Sequence, residues 1–183
     1  GIWMAEQSYL PSMISINSFD TICHEHLEYY CLKDIKNLLK DKQLDLFDVE
    51  FNATNGGSFI FFVCKKNNQN LVRKNVKIGS ILKDEEISCS FDFLKNFSES
   101  CFLQRKEVSL WFKEQKSKGK RIAGLGASTK GNIALSFFGI GKGQIDVIGD
   151  VNEEKFGSFT PEAFIPIRDQ ETVLKENYDY YVV

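Results

Sequence analysis

Apolar and polar residues alternate along residues 44–51, "LDLFDVEF", as they do in a half-buried strand. The next apolar run, "SFIFFVC", is continuous, and "NGG" at residues 55–57 separates the two. This pair predicts a β-hairpin. Just upstream, Leu32, Ile35, Leu38 and Leu39 recur at helical spacing and predict an amphipathic helix over residues 32–42. Residues 2–6 read as a strand, followed by a loop or short helix through Pro11 and Asn17. Residues 67–77 are polar and predict a loop. Residues 91–118 read as helix, and Gly119 lies where a C-cap glycine is expected.

Beyond Gly119 the period changes. "KRIAGLG" is a strand running into a glycine turn, and "STKGNIALSFFG" opens with capping residues and turns apolar. "QIDVIGD" reads as a buried strand ending in Asp150, "AFIPI" as a short strand, "RDQETVLKEN" as a helix and "YDYYVV" as a last strand. Strands alternating with helices predict a Rossmann-like parallel sheet with flanking helices, an α/β fold preceded by the helix and β-hairpin segment. The division expected is residues 1–18, 19–118 and 119–183. Both ends of the chain fall within strand patterns, which reads as a piece of a longer protein.

The chain has 183 residues and a net charge of −2, which gives no electrostatic case for nucleic acid or an anionic membrane as partner. The longest apolar run, Phe59 to Cys64, is far too short to span a bilayer, and no signal peptide is visible. The five cysteines form no C-x-x-C pair, which fits a reducing cytoplasm better than a disulfide framework. The oligomeric state is not legible.

Three stretches carry candidate chemistry. "CHEH", Cys23 to His26, holds both histidines of the chain. A metal reading needs three or four converging ligands, and only Cys31 is a further candidate. A hydrogen-bonded cluster in the core is the bland alternative. An acid–base reading fits best: imidazole titrates near pH ~6.5, and a neighbouring carboxylate steadies its charged form. "GLGASTKGN", Gly124 to Asn132, sits between a strand and a helix, where backbone N–H groups receive phosphate. Its glycines Gly124, Gly126 and Gly131 have neither dinucleotide nor P-loop spacing. Ser128, Thr129 and Lys130 add hydroxyls and a charge, and Asp150 is placed to reach a ribose hydroxyl. A structural turn with capping residues is the alternative. "NGGS", Asn55, Gly56, Gly57 and Ser58, allows backbone to face a ligand but reads first as a hairpin turn.

Together "FDTICHEHLEYYCLKDIKNLLKDKQLDLFDVEFNATNGGSF", "GLGASTKGNIALSFFGI" and "IGDVNEEKFGSFTPEAFIPI" resemble the C-terminal domain of the sugar C-methyltransferase family. The resemblance implies an S-adenosylmethionine enzyme of deoxysugar or polysaccharide biosynthesis acting on a nucleotide-sugar. It implies that a zinc-binding region and the cofactor's glycine loop lie outside this chain, that residues 1–10 are the tail of the cofactor domain, and that the chain alone is inactive. On it His26 is the base that forms a sugar enolate and Glu25 its assistant. Cys23, where well-studied members carry Tyr, is a wall or weak hydrogen-bonder. Asn55 to Ser58 shape the sugar pocket, and Gly124 to Asn132 with Asp150 hold the nucleotide. No metal is expected here. The rival readings are a non-catalytic nucleotide-binding module and a methyltransferase of another carbohydrate or lipid-linked acceptor.

Overall fold

The computed structural model describes residues 1–68 and 77–183. The chain divides into two compact units, Gly1–Phe19 with His24–Ser100, and Asp20–Cys23 with Cys101–Val183. The expected α/β class holds: one unit carries a three-stranded antiparallel sheet and the other a four-stranded parallel sheet.

In the first unit, β1 (Ile2–Ser8) leads into α1 (Leu10–Ser15), and α2 (Leu32–Leu39) precedes β2 (Leu44–Asn52) and β3 (Ser58–Lys65). The hairpin β2–β3 forms as expected, and β3 is central, in the order β1-β3-β2. That position explains the unbroken apolar run: Phe59, Phe61 and Val63 pack under Leu32, Ile35 and Leu39 of α2. β1 pairs with β3 from Ile2↔Cys64 to Ser8↔Ser58. α2 stops at Leu39 rather than at residue 42. A turn closes there, with Lys42 N–H donating to Leu39 O, and Gln43 at φ +54° swings the chain into β2. α3 (Lys77–Ser88) was not anticipated. The polar loop expected at 67–77 falls mostly outside the described residues.

α4 (Phe91–Ser117) ends at Gly119, φ +71°, as its C-cap glycine requires. The second unit continues with β4 (Ile122–Leu125), α5 (Thr129–Phe138), β5 (Val147–Asp150), β6 (Ile167–Asp169), α6 (Gln170–Lys175) and β7 (Tyr180–Val182). The sheet order is β6-β5-β4-β7, so the winding reverses between β4 and β7. Ligands of open α/β sheets bind at such a reversal, outside the carboxyl ends of the strands. β6 lies later than "AFIPI", because Phe164 is left-handed (φ +50°) and Pro166 has no N–H for a ladder. Ile122, Ile145, Ile148 and Ile165 form the core under Phe112 of α4. No helix among the described residues is long and apolar enough to cross a membrane.

Candidate functional site

His24, Glu25 and His26 are all exposed, in an irregular stretch between a 3-10 turn at Phe19–Thr21 and the start of α2. Cys23 is half-buried and counts with the second unit, whereas His24 onward counts with the first. The His26 ring stands 6.4 Å from that of Tyr29, centroid to centroid. Immediately downstream, Glu28, Tyr29, Tyr30, Asp34 and Asn37, together with two exposed leucines, line an open groove of about 640 Å3. Aromatic faces, carboxylates and an amide are the side chains that hold a neutral polyhydroxyl ligand: rings stack on its C–H faces and the others bond its hydroxyls. Among the described residues no three His, Cys, Asp or Glu side chains converge on a common metal position.

The groove is held from behind. Asp34, at the third position of α2, accepts hydrogen bonds at 2.9 Å from both the N–H and the thiol of Cys31. This is the back-reaching half of a capping box. Glu85 of α3 is 1 % exposed and accepts from the N–H of Leu32 (2.7 Å) and Lys33 (2.8 Å) and from the Tyr9 hydroxyl (2.9 Å). A buried carboxylate thus sits on the positive end of α2, three donors to one anion. Burial and the Glu85 bond push the Tyr9 phenol well above its ordinary value, and burial and the Asp34 bond do the same to the Cys31 thiol. Sequence reasoning missed Glu85, because no element was expected over "KDEEIS" and its run of acids carries no mark of burial.

"NGGS" supports the groove at one remove. Asn55, Gly56 and Gly57 all have positive φ, and a Cβ on Gly57 would lie 2.5 Å from Ser12 Cβ. The N–H groups of Gly56 and Gly57 donate to Ala53 O and Thr54 O, and the buried Ser58 hydroxyl donates to Thr54 O. Gly57 O accepts from Tyr9 N–H, and Leu10 N–H donates to Tyr30 O in the groove wall. None of the four residues lines that groove.

The glycine turn lies in the second unit. Ser128 caps α5, accepting from Gly131 N–H at 3.0 Å, and Gly126 adopts φ +89°. Ser128 and Thr129 are exposed, and Lys130 and Asn132 are half-buried. Asp150, 4 % exposed, accepts from Ala127 N–H (2.7 Å) and Lys155 Nζ (3.0 Å) at Oδ2, and from Asn152 N–H (2.8 Å) at Oδ1. Three of about four lone-pair directions are therefore spent on the protein, and one on Oδ1 is left for a ribose hydroxyl. Burial works to raise this carboxyl, but the bonds from Asn152, Lys155 and Ala127 outweigh it and hold it below the usual carboxylate value. Lys155 also donates to Ala127 O at 3.0 Å, so it clamps the turn. Sequence reasoning overlooked Lys155, which stands five residues after Asp150 in an acidic run. Gly124, Gly126 and Gly131 share an apolar cavity of about 270 Å3 with Phe112, Leu135 and Val182 at the β4–β7 reversal.

Residues 53–183 match the family described as the C-methyltransferase C-terminal domain. The whole chain is also similar to C-methyltransferase NovU of Streptomyces niveus, at 29 % identity over 185 residues. The match covers 100 % of this chain and 44 % of that relative, so the chain spans a little under half its length.

Proposed function

Because the chain belongs to the C-methyltransferase C-terminal domain family, we propose that it carries the proton chemistry of an S-adenosylmethionine-dependent enzyme that C-methylates a nucleotide-linked keto-sugar. The observation that carries this reading is the exposed His26 beside a groove of Tyr29, Tyr30, Glu28, Asp34 and Asn37. A keto-sugar in that groove brings the carbon next to its carbonyl to the imidazole. His26, as the neutral base, takes the proton from that carbon, and the electron pair of the C–H bond moves to give an enolate. Glu25 steadies the imidazolium, and Cys23 has the part of a wall or weak hydrogen-bonder. Asn55 to Ser58 act through Tyr9 on the groove wall.

S-adenosylmethionine supplies the methyl group when bound. Among the described residues Asp150, the acid at the end of β5 where such a fold receives a ribose, spends three of its lone-pair directions on Ala127, Lys155 and Asn152, which leaves it little to offer a donor's ribose. We assign the donor to the part of such an enzyme that corresponds to the share of NovU outside this chain's match.

In the complete protein, His26→Ala is expected to lower solvent exchange of the proton next to the carbonyl, and methyl transfer with it, by about 10²–10⁴-fold. Unchanged exchange in that variant removes His26 as the base. A second reading, nucleotide binding without catalysis, is favoured by the glycine turn at the sheet's reversal point. There Ser128, Thr129, Lys130 and Asn132 would meet the ligand, Asp150 would keep the turn shaped, and His26→Ala would change no reaction.

A further inference from the structure

Charge divides along α2. Towards the histidines the groove is lined by the acids Glu28 and Asp34. On the other side Lys36 of α2, Lys40 just after it and Lys66, just past β3, line a second pocket of about 410 Å3 over an apolar floor that includes Leu44 and Leu46. Among the described residues none of the three lysines makes an ion pair. One carboxylate, Asp45, faces them in the same pocket. Three ammonium groups around one concavity raise the local positive potential, and an anion entering it relieves their mutual repulsion. Asn37 lines both the pocket and the groove, so the two are contiguous.

We propose that this pocket binds the diphosphate of the nucleotide-linked acceptor, with the apolar floor under its nucleoside. The inference rests on the reading of the groove as the sugar site. In a nucleotide-sugar the diphosphate is bonded directly to the sugar ring, so a sugar held in the groove needs a phosphate subsite next to it, and the pocket that shares Asn37 is adjacent. The acidic groove repels them, and the lysine pocket next to it attracts them. A volume of about 410 Å3 lies within the roughly 300–1,000 Å3 of small-molecule sites. A neutral sugar subsite and a cationic phosphate subsite then meet at Asn37, all within the unit that carries His26.

The test is calorimetric titration of the complete protein with uridine diphosphate, because the apolar floor reads no particular base. Binding is expected that weakens as salt rises and falls at least tenfold in the double variant Lys40→Gln/Lys66→Gln. Lys142→Gln, a surface lysine elsewhere, is the control. Far-UV circular dichroism and the melting temperature show that the variants are folded. Three results overturn the proposal: no binding by the folded wild type, full affinity in the double variant, or a loss produced by Lys130→Ala instead. Inorganic pyrophosphate binding as tightly as the nucleotide overturns the role of the apolar floor. Product formation is assayed separately. Lysine-dependent binding without any methylated product supports the pocket while overturning the reaction.

Discussion

Glu85 and Leu32, far apart in sequence, are joined by a 2.7 Å hydrogen bond from the Leu32 N–H to the Glu85 carboxylate. Through it α3 fixes the first turn of α2, and with it the end of the segment that carries the histidines. Glu85→Ala leaves two N–H groups and the Tyr9 hydroxyl without their acceptor. A loss of about 3 kcal/mol is expected, read as a lower urea midpoint. Glu85→Gln keeps one acceptor oxygen and is expected to lose about half as much. Faster amide exchange at residues 32–34 accompanies both, and an unchanged midpoint in the alanine variant disproves the cap.

Gly57 is expected to tolerate no side chain. Its φ of +132° and the 2.5 Å approach of a Cβ to Ser12 each oppose alanine. Gly57→Ala is expected to cost about 2–3 kcal/mol. Adding Ser12→Gly removes the collision but not the backbone strain, so only part of the loss is recovered. Complete recovery would show that the backbone angle does not matter.

Asp150 makes stability depend on acid. Its folded carboxyl is held below its unfolded value, so its contribution is fully present above about pH 4. It is lost as pH falls through the folded value. The melting temperature of the wild type should therefore exceed that of Asp150→Asn at pH 7, and the gap should narrow steadily below about pH 4. A gap that is constant with pH refutes the linkage.

Cys31 is expected to resist alkylation. It is 3 % exposed, and burial together with the Asp34 bond pushes its thiol up. Iodoacetamide at pH 8 should leave Cys31 unmodified in the native protein and label it fully in urea, as read by peptide mass spectrometry. Native labelling as fast as that of the half-buried Cys23 would show that the start of α2 opens freely.

The local elements were legible where the pattern was local. "LDLFDVEF", "NGG" and "SFIFFVC" specify a hairpin through alternation, turn residues and a continuous apolar run, and the hairpin is there. Ser128 and Gly139 bracket α5 as capping chemistry dictates. What the sequence hides is who meets whom across distance. Nothing in "IWMAEQS" names β3 as its partner, and nothing in "KDEEIS" shows that one of three acids is buried on a helix end. Pro166 and Phe164 moved β6 downstream by geometry that an apolar run does not display. At the candidate site the residues of the histidine turn were evident from composition. The groove, the lysine pocket and the spent state of Asp150 depend on contacts between segments and were not.

The pairing of β1 with β3 also sets an order of events in biogenesis. The hairpin β2–β3 joins neighbours in sequence and can close in about 1–10 μs. β1 leaves the ribosome earlier, yet its partner Cys64 emerges only after the whole of α1, α2 and β2. Until then Ile2, Trp3 and Met4, more than half exposed even in the finished fold, are an unpaired apolar segment of nascent chain. Closing that long loop carries an entropy cost that the hairpin escapes. Synthesis and assembly therefore run in opposite directions at this sheet: the strand made first is placed last, and that interval is when a chaperone has most to hold.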